Sequence, residues 1–430
     1  MESRKALQSP KSPKSAHRAI AILAVALAIG VTMQTSPQPR QSRGPDPWAY
    51  AFASQNFAQG KWVVTDEEMA AGRMQVRLQG GHLTQYVNIG PSRWALEKAP
   101  GFPLLVVPLQ WLGIPQLTNA VLAALAAGAL YALVACWFDE GLACVAVALF
   151  LFTPMSLIAQ HDAWMDTFAA GAMPLIGGAL YLLYVLRQPA GRAGPALAFG
   201  AGLALGWSAV VRLSNLPLVV LCGLHLAGTA RRASLRRSAL VAGAVFAAGA
   251  MLSLGALLAY NQTVFGRPFD VGYAYSPYRV RSAFGPTLGK PGVPIQTADL
   301  SAAIEMVGLN LARVVQPWLI GFPVLILALP GWVVPDRSDA RTSSWRWVAA
   351  LWTLAVAASY VSFTWLDQLL SQPIIRSLGF FEVDRYFFPW LFPLVTLAIA
   401  TLARFPRWAV WGFVVLYVVG SSWLYMQTGL

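Results

Sequence analysis

Apolar runs of about twenty residues recur along nearly the whole chain, broken by short polar clusters. A helix of roughly that length crosses the hydrocarbon layer of a bilayer. The first run is Ala19–Met33, behind a tail carrying Arg4, Lys5, Lys11, Lys14 and Arg18. Further runs fall near 116–137, 141–159, 167–186, 195–211, 215–230, 238–260, 317–334, 346–366, 386–403 and 408–427. The pattern predicts an all-α integral membrane protein of about eleven transmembrane helices, forming one domain over residues 1–430. No small-x-small cleavage site follows the first run, so it reads as a retained span.

The stretches between the runs are unequal. Residues 1–18 form a tail, residues 34–102 a long first loop, and residues 261–316 a second long loop. The first loop carries two short helical stretches, GPDPWAYAFASQNFAQG and TDEEMAAGRMQVRL. Thr65 with Glu68 three positions on spells a capping box, which gives Asp66, Glu67 and Glu68 a structural role at a helix start. Pro100, Pro103, Pro108 and Pro115 interrupt EKAPGFPLLVVPLQWLGIP, which therefore reads as an entry or re-entrant segment and not as a clean span.

Only 11% of residues are charged, against 57% apolar, which excludes an ordinary soluble chain of this length. The net charge of +13 does not form a nucleic-acid surface, because the basic residues sit in short clusters between apolar runs. Arg187, Arg192, Arg231, Arg232, Arg236, Arg237, Arg337, Arg341, Arg346, Arg404 and Arg407 join the tail on one side. That distribution places the N-terminus in the cytoplasm and the long loops outside. Thirteen of the eighteen acidic residues then lie outside, so any carboxylate chemistry belongs there. Cys136, Cys144 and Cys222 lie in apolar runs with no metal-ligand spacing.

Two features stand out without reference to any family. Arg212 sits between two apolar runs, where a cation is costly and asks for a partner. Asp162 and Asp166, four positions apart beside His161, would share one face of a helix.

Six motifs occur in order on the predicted outer surfaces. They are GPDPWAYAFASQNFAQGKW, EKAPGFPLLVVPLQWLG, QHDAWMDTFAAGAMPL, VVRLSNLPL, YNQTVFGRPFDVGY and DRYFFPWLFPL. Together they resemble the GT-C superfamily of polytopic glycosyltransferases, in particular bacterial members that transfer sugars to lipid A or protein. Pro47 departs from the pattern, since many members carry a second acid after the first-loop Asp.

The resemblance implies an inverting transfer of a sugar from a polyprenyl-phosphate donor to a lipid, glycan or protein acceptor outside a cell membrane, in bacteria the inner one. It implies Asp46 as the catalytic base and Lys98, Arg212, Arg267 and Arg385 as donor-phosphate ligands. Asp162 and Asp166 would orient the acceptor or help hold a metal. Asp384 precedes Arg385, which suggests a local ion pair. No cofactor is required by the residues, with room left for a divalent cation. The alternative is a transporter or lipid flippase, which would place charges along a midplane pathway and usually show an internal repeat. Neither feature is evident in the sequence.

Overall fold

The computed structural model describes residues 13–35, 45–71, 85–162, 164–187, 193–231, 236–275, 280–282, 285–288, 300–333, 340–361 and 384–427. The fold is an all-α integral membrane bundle. Helix α1 (Pro13–Thr35) is followed by the short helices α2 (Pro45–Ala58) and α3 (Asp66–Ala71). A β-hairpin, β1 (Tyr86–Gly90) with β2 (Arg93–Leu96), leads into α4 (Gly101–Trp111). Then come α5 (Thr118–Trp137), α6 (Glu140–Leu151), α7 (Pro154–His161), α8 (Asp166–Arg187) and α9 (Ala193–Val211). After α10 (Leu216–Ala230) and α11 (Arg236–Phe265), a small hairpin pairs β3 (Val280–Ser282) with β4 (Gly285–Leu288). The chain continues through α12 (Leu300–Gly321), α13 (Leu325–Val333) and α14 (Ala340–Val361) to α15 (Leu391–Leu402) and α16 (Arg407–Gln427).

Among the described residues, six helices are long and apolar enough to cross a membrane, or up to eight spans if each of two bent pairs counts as one. Both bends have a local cause. The run at 141–159 breaks between α6 and α7 by 59°, where Pro154 starts a new helix. The run at 317–334 turns by 111° between α12 and α13, because Pro323 offers no N–H to the carbonyl of Leu319. The second long loop is also shorter than expected. Helix α11 continues to Phe265 and α12 begins at Leu300, so only part of 261–316 lies outside helices.

The expected capping box is present. The Thr65 N–H donates to Glu68 at 3.0 Å, and the Glu68 N–H donates to Thr65 Oγ1 at 3.2 Å. Asp66 accepts hydrogen bonds from Ser92 and from Trp94 Nε1, and these hold its carboxyl below the usual range. Those bonds tie α3 to the hairpin, as does a bridge between Val64 and Trp94. The hairpin itself was not expected from the sequence, and it matters because β2 ends two residues before Lys98.

Exposed ion pairs, Arg18 with Glu140 and Arg407 with Asp139, link α1 and α16 to the start of α6. The polar cluster described next lies at the other end, where α5 and α8 begin and α9 finishes.

Candidate active site

Five sequence-predicted residues converge here: Asp46, Lys98, Asp166, Arg212 and Arg385. Each arrives on a different element. Asp46 lies in the first turn of α2, where a carboxylate is favoured by the helix dipole. Asp166 opens α8. Arg212 follows the last residue of α9 in extended conformation, which turns its side chain out of the helix path. Arg385 precedes the 3₁₀ turn Phe388–Trp390 that leads into α15.

Two glycines bring the loops close enough. A Cβ on Gly101 would stand 2.4 Å from the carbonyl carbon of Val210 and from the nitrogen of Val211. Only glycine lets α4 dock end-on against the last turn of α9, which brings Lys98 and Arg212 to the same place. Trp207 Nε1 donates to the Gly101 carbonyl at 3.3 Å across that joint. A Cβ on Gly272 would stand 2.5 Å from the Glu97 carbonyl oxygen. The contact sets Tyr273 under Lys98, whose Nζ lies 5.4 Å from the ring centre.

Arg212 is almost fully engaged. Its Nε donates to Asp166 Oδ2 and one terminal nitrogen to Asp166 Oδ1, both at 2.7 Å. That nitrogen also donates to Thr167 Oγ1 at 3.3 Å, and the other donates to the backbone carbonyl of Arg385 at 2.9 Å. A guanidinium has five N–H donors in all. The bonds made here leave one for a ligand.

Arg385 turns the other way, to Asp46, with NH1 3.8 Å from Oδ2. Tyr386 lies between the two arginines, 5.2 Å from Arg212 and 4.9 Å from Arg385, in cation–π range. Its hydroxyl accepts from Arg385 at 2.9 Å. Burial works against the charge of Lys98. The phenol of Tyr273 and the carboxylates Asp46 and Glu97 overcome it, so the ammonium is held above its usual range. Tyr50, one turn along α2 from Asp46, is pushed up by burial and by Asp166 and Asp46, and stays neutral.

Asp162 and Arg267 lie apart from this group. Asp162 is the C-cap of α7, its carbonyl accepting from Asn119 at 3.0 Å and its side chain from the Trp164 N–H at 3.3 Å. The chain leaves helix there and re-enters it at Asp166. The expected shared helix face of Asp162 and Asp166 therefore does not exist. Arg267 is exposed in the turn after α11. The expected pairing of Asp384 with Arg385 is also absent. Neither Asp384 oxygen has a well-formed hydrogen bond among the described residues. Among the described residues, no three His, Cys, Asp or Glu side chains gather in one place.

Sequence reasoning missed Tyr50, although its spacing from Asp46 signals a shared helix face. Tyr360 carried no such signal. It reaches the site from α14, bonded to Ser214 and 5.1 Å from the Tyr386 ring.

No protein-family model and no curated protein matches the sequence. Solved structures do. ArnT from Cupriavidus metallidurans bound to undecaprenyl phosphate superposes with a TM-score of 0.55 at 16% identity, over 94% of this chain and 63% of that one. The apo state of the same protein gives 0.51 at 17% identity, over 94% and 62%. The chain has a GT-C fold. The chain spans about 63% of the length of the ArnT chain it matches. The archaeal oligosaccharyltransferase AglB from Archaeoglobus fulgidus, in complex with an inhibitory peptide and a dolichol-phosphate, scores 0.49 at 12% identity, over 97% and 56%.

Proposed function

We propose that this GT-C chain is an inverting glycosyltransferase that moves a hexose or pentose from a polyprenyl-phosphate donor to an acceptor hydroxyl, on the outer face of a cell membrane. The observation that carries the reading is the 3.8 Å approach of Arg385 to Asp46, with Lys98 beside them, at one end of an apolar bundle. The lipid tail of the donor lies among apolar helices and its phosphate rests at the bundle end. The positive residues concentrated at the opposite end support an outward-facing site.

The proposed chemistry is one displacement. Asp46 accepts the acceptor's hydroxyl proton as that oxygen attacks the anomeric carbon. The bond from that carbon to the phosphate oxygen breaks, and its electron pair leaves on the polyprenyl phosphate. Lys98 and Arg385 neutralise the charge growing on the phosphate. Arg212 has one N–H left for that purpose, so its larger share in this proposal is to hold Arg385 and Asp166 in place. Asp162, at the C-cap of α7, would orient an acceptor, whether lipid, glycan or protein. Arg267 would meet the donor only at the exposed rim.

Native mass spectrometry of the purified protein tests this reading, with Lys98→Ala for comparison and with and without a chelator. A bound polyprenyl phosphate or its sugar adduct, lost in the variant, is the expected result. No bound carrier, together with no binding of added undecaprenyl phosphate, would overturn it.

A further inference from the structure

Asp384 adjoins this cluster and has no part in the proposed chemistry. Its side chain is 0% exposed. It is pressed against the end of α12, where a Cβ on Gly321 would lie 1.9 Å from its Oδ2. This is a demanding place for an anion. It is the carbonyl end of a helix, where the dipole is negative, and a bend at Pro323 leaves the Leu319 carbonyl without its usual donor. The nearby packing is aromatic, with Trp318 against Phe387 at 5.1 Å and against Trp390 at 4.4 Å. Neither carboxyl oxygen has a well-formed hydrogen bond among the described residues, and the backbone of Gly321 is the polar group that approaches it.

The adjacent Arg385 turns its guanidinium to Asp46. Arg212 holds the Arg385 backbone at its carbonyl, at 2.9 Å. An unpaired anion buried beside an arginine would draw the guanidinium back. Burial pushes the Asp384 carboxyl well above its ordinary range.

We propose that Asp384 is carried as a neutral carboxylic acid, so that it does not compete with Asp46 for the guanidinium of Arg385. It is a positioning residue, and the second half of the proposal rests on the function proposed above. Among the described residues packed at this junction, Trp318, Gly321, Phe322, Phe387 and Phe388 bring no titratable group, and Arg385 is the charged neighbour in its own segment.

Infrared spectroscopy of the full-length protein in lipid nanodiscs reads the protonation directly. At neutral pH the wild-type minus Asp384→Asn difference should contain a protonated-carboxyl carbonyl stretch that shifts in D₂O. Only carboxylate bands in that difference would overturn the proposal. Undecaprenyl phosphate binding supplies the second reading. Asp384→Asn, a permanently neutral isostere, should keep the wild-type Kd within about twofold. A change beyond about tenfold would mean that Asp384 is an ionised counter-ion to Arg385, and would also overturn it. If the wild type itself binds no undecaprenyl phosphate, the functional reading fails, while the infrared difference still decides the charge of Asp384.

Discussion

Arg212 and Asp166 meet through two parallel N–H···O bonds of 2.7 Å, with side chains only 11% and 8% exposed. The pair joins the start of α8 to the end of α9, and through the Arg385 carbonyl it also reaches the segment before α15. A fork of this kind fixes angle as well as distance.

Breaking that pair from one side strands a buried charge, which costs about 3–5 kcal/mol. Arg212→Ala and Asp166→Asn should each lower the thermal unfolding midpoint in detergent by a large margin. Arg212→Lys should recover little, because an ammonium cannot make the fork. The apolar pair Arg212→Met with Asp166→Leu should be much less destabilised than the sum of the single changes. Strict additivity in that cycle would show that the two residues do not act together.

Asp46→Asn should leave undecaprenyl phosphate binding near the wild-type value while slowing sugar transfer by about 10²–10⁴-fold, the usual share of a general base. The amide keeps the size of the side chain and cannot take up the acceptor's proton. Release of undecaprenyl phosphate from a set of undecaprenyl-phosphate sugars would be followed with time. Transfer at the wild-type rate by the variant would remove Asp46 from the role.

Much of this arrangement was legible in the sequence because the bilayer simplifies the reading. Apolar length gives the spans, and the costly position of Arg212 between two runs announced a partner. The partner itself, Asp166, was on the page but attached to the wrong neighbour. Four-residue spacing suggested a shared face with Asp162, and only the structure shows the chain leaving helix between them. The proline breaks at Pro154 and Pro323 were visible as residues, but their bend angles depend on what packs around them. The hairpin carrying Lys98 into place was hidden, since its strands are short and their partners local. Tyr360 could not be assigned to the site at all, because nothing in the sequence of α14 says which end or face meets Tyr386.

Lys98 should remain charged well into the alkaline range. Its folded value is raised, so its contribution is fully present below the unfolded amine value of about 10.4 and is lost only above it. Undecaprenyl phosphate binding should therefore change little between neutral pH and about pH 9. Lys98→His moves this transition. An imidazole titrates near 6.5 when unperturbed, and anionic neighbours would raise that value. Binding by the variant should then weaken as pH rises through the neutral range. A pH-independent Kd in Lys98→His, equal to that of the wild type, would show that Lys98 is not a phosphate ligand.

Gly101 offers a test of how Lys98 is positioned without touching its charge. In Gly101→Ala the added methyl meets backbone of Val210 and Val211 at 2.4 Å, and backbone cannot yield as a flexible side chain would. Either α4 or the end of α9 must move, and each carries one of the site's cations on its flank. Overpacking of this kind typically costs about 1–3 kcal/mol. The variant should unfold at lower temperature and bind undecaprenyl phosphate more weakly, although no charged group has changed. Gly223→Ala in α10 is the control, since nothing lies within 4 Å of its added methyl. Equal behaviour of the two variants would mean that the docking of α4 on α9 does not set the site. Loss of affinity in Gly101→Ala alone would place that joint among the determinants of phosphate binding.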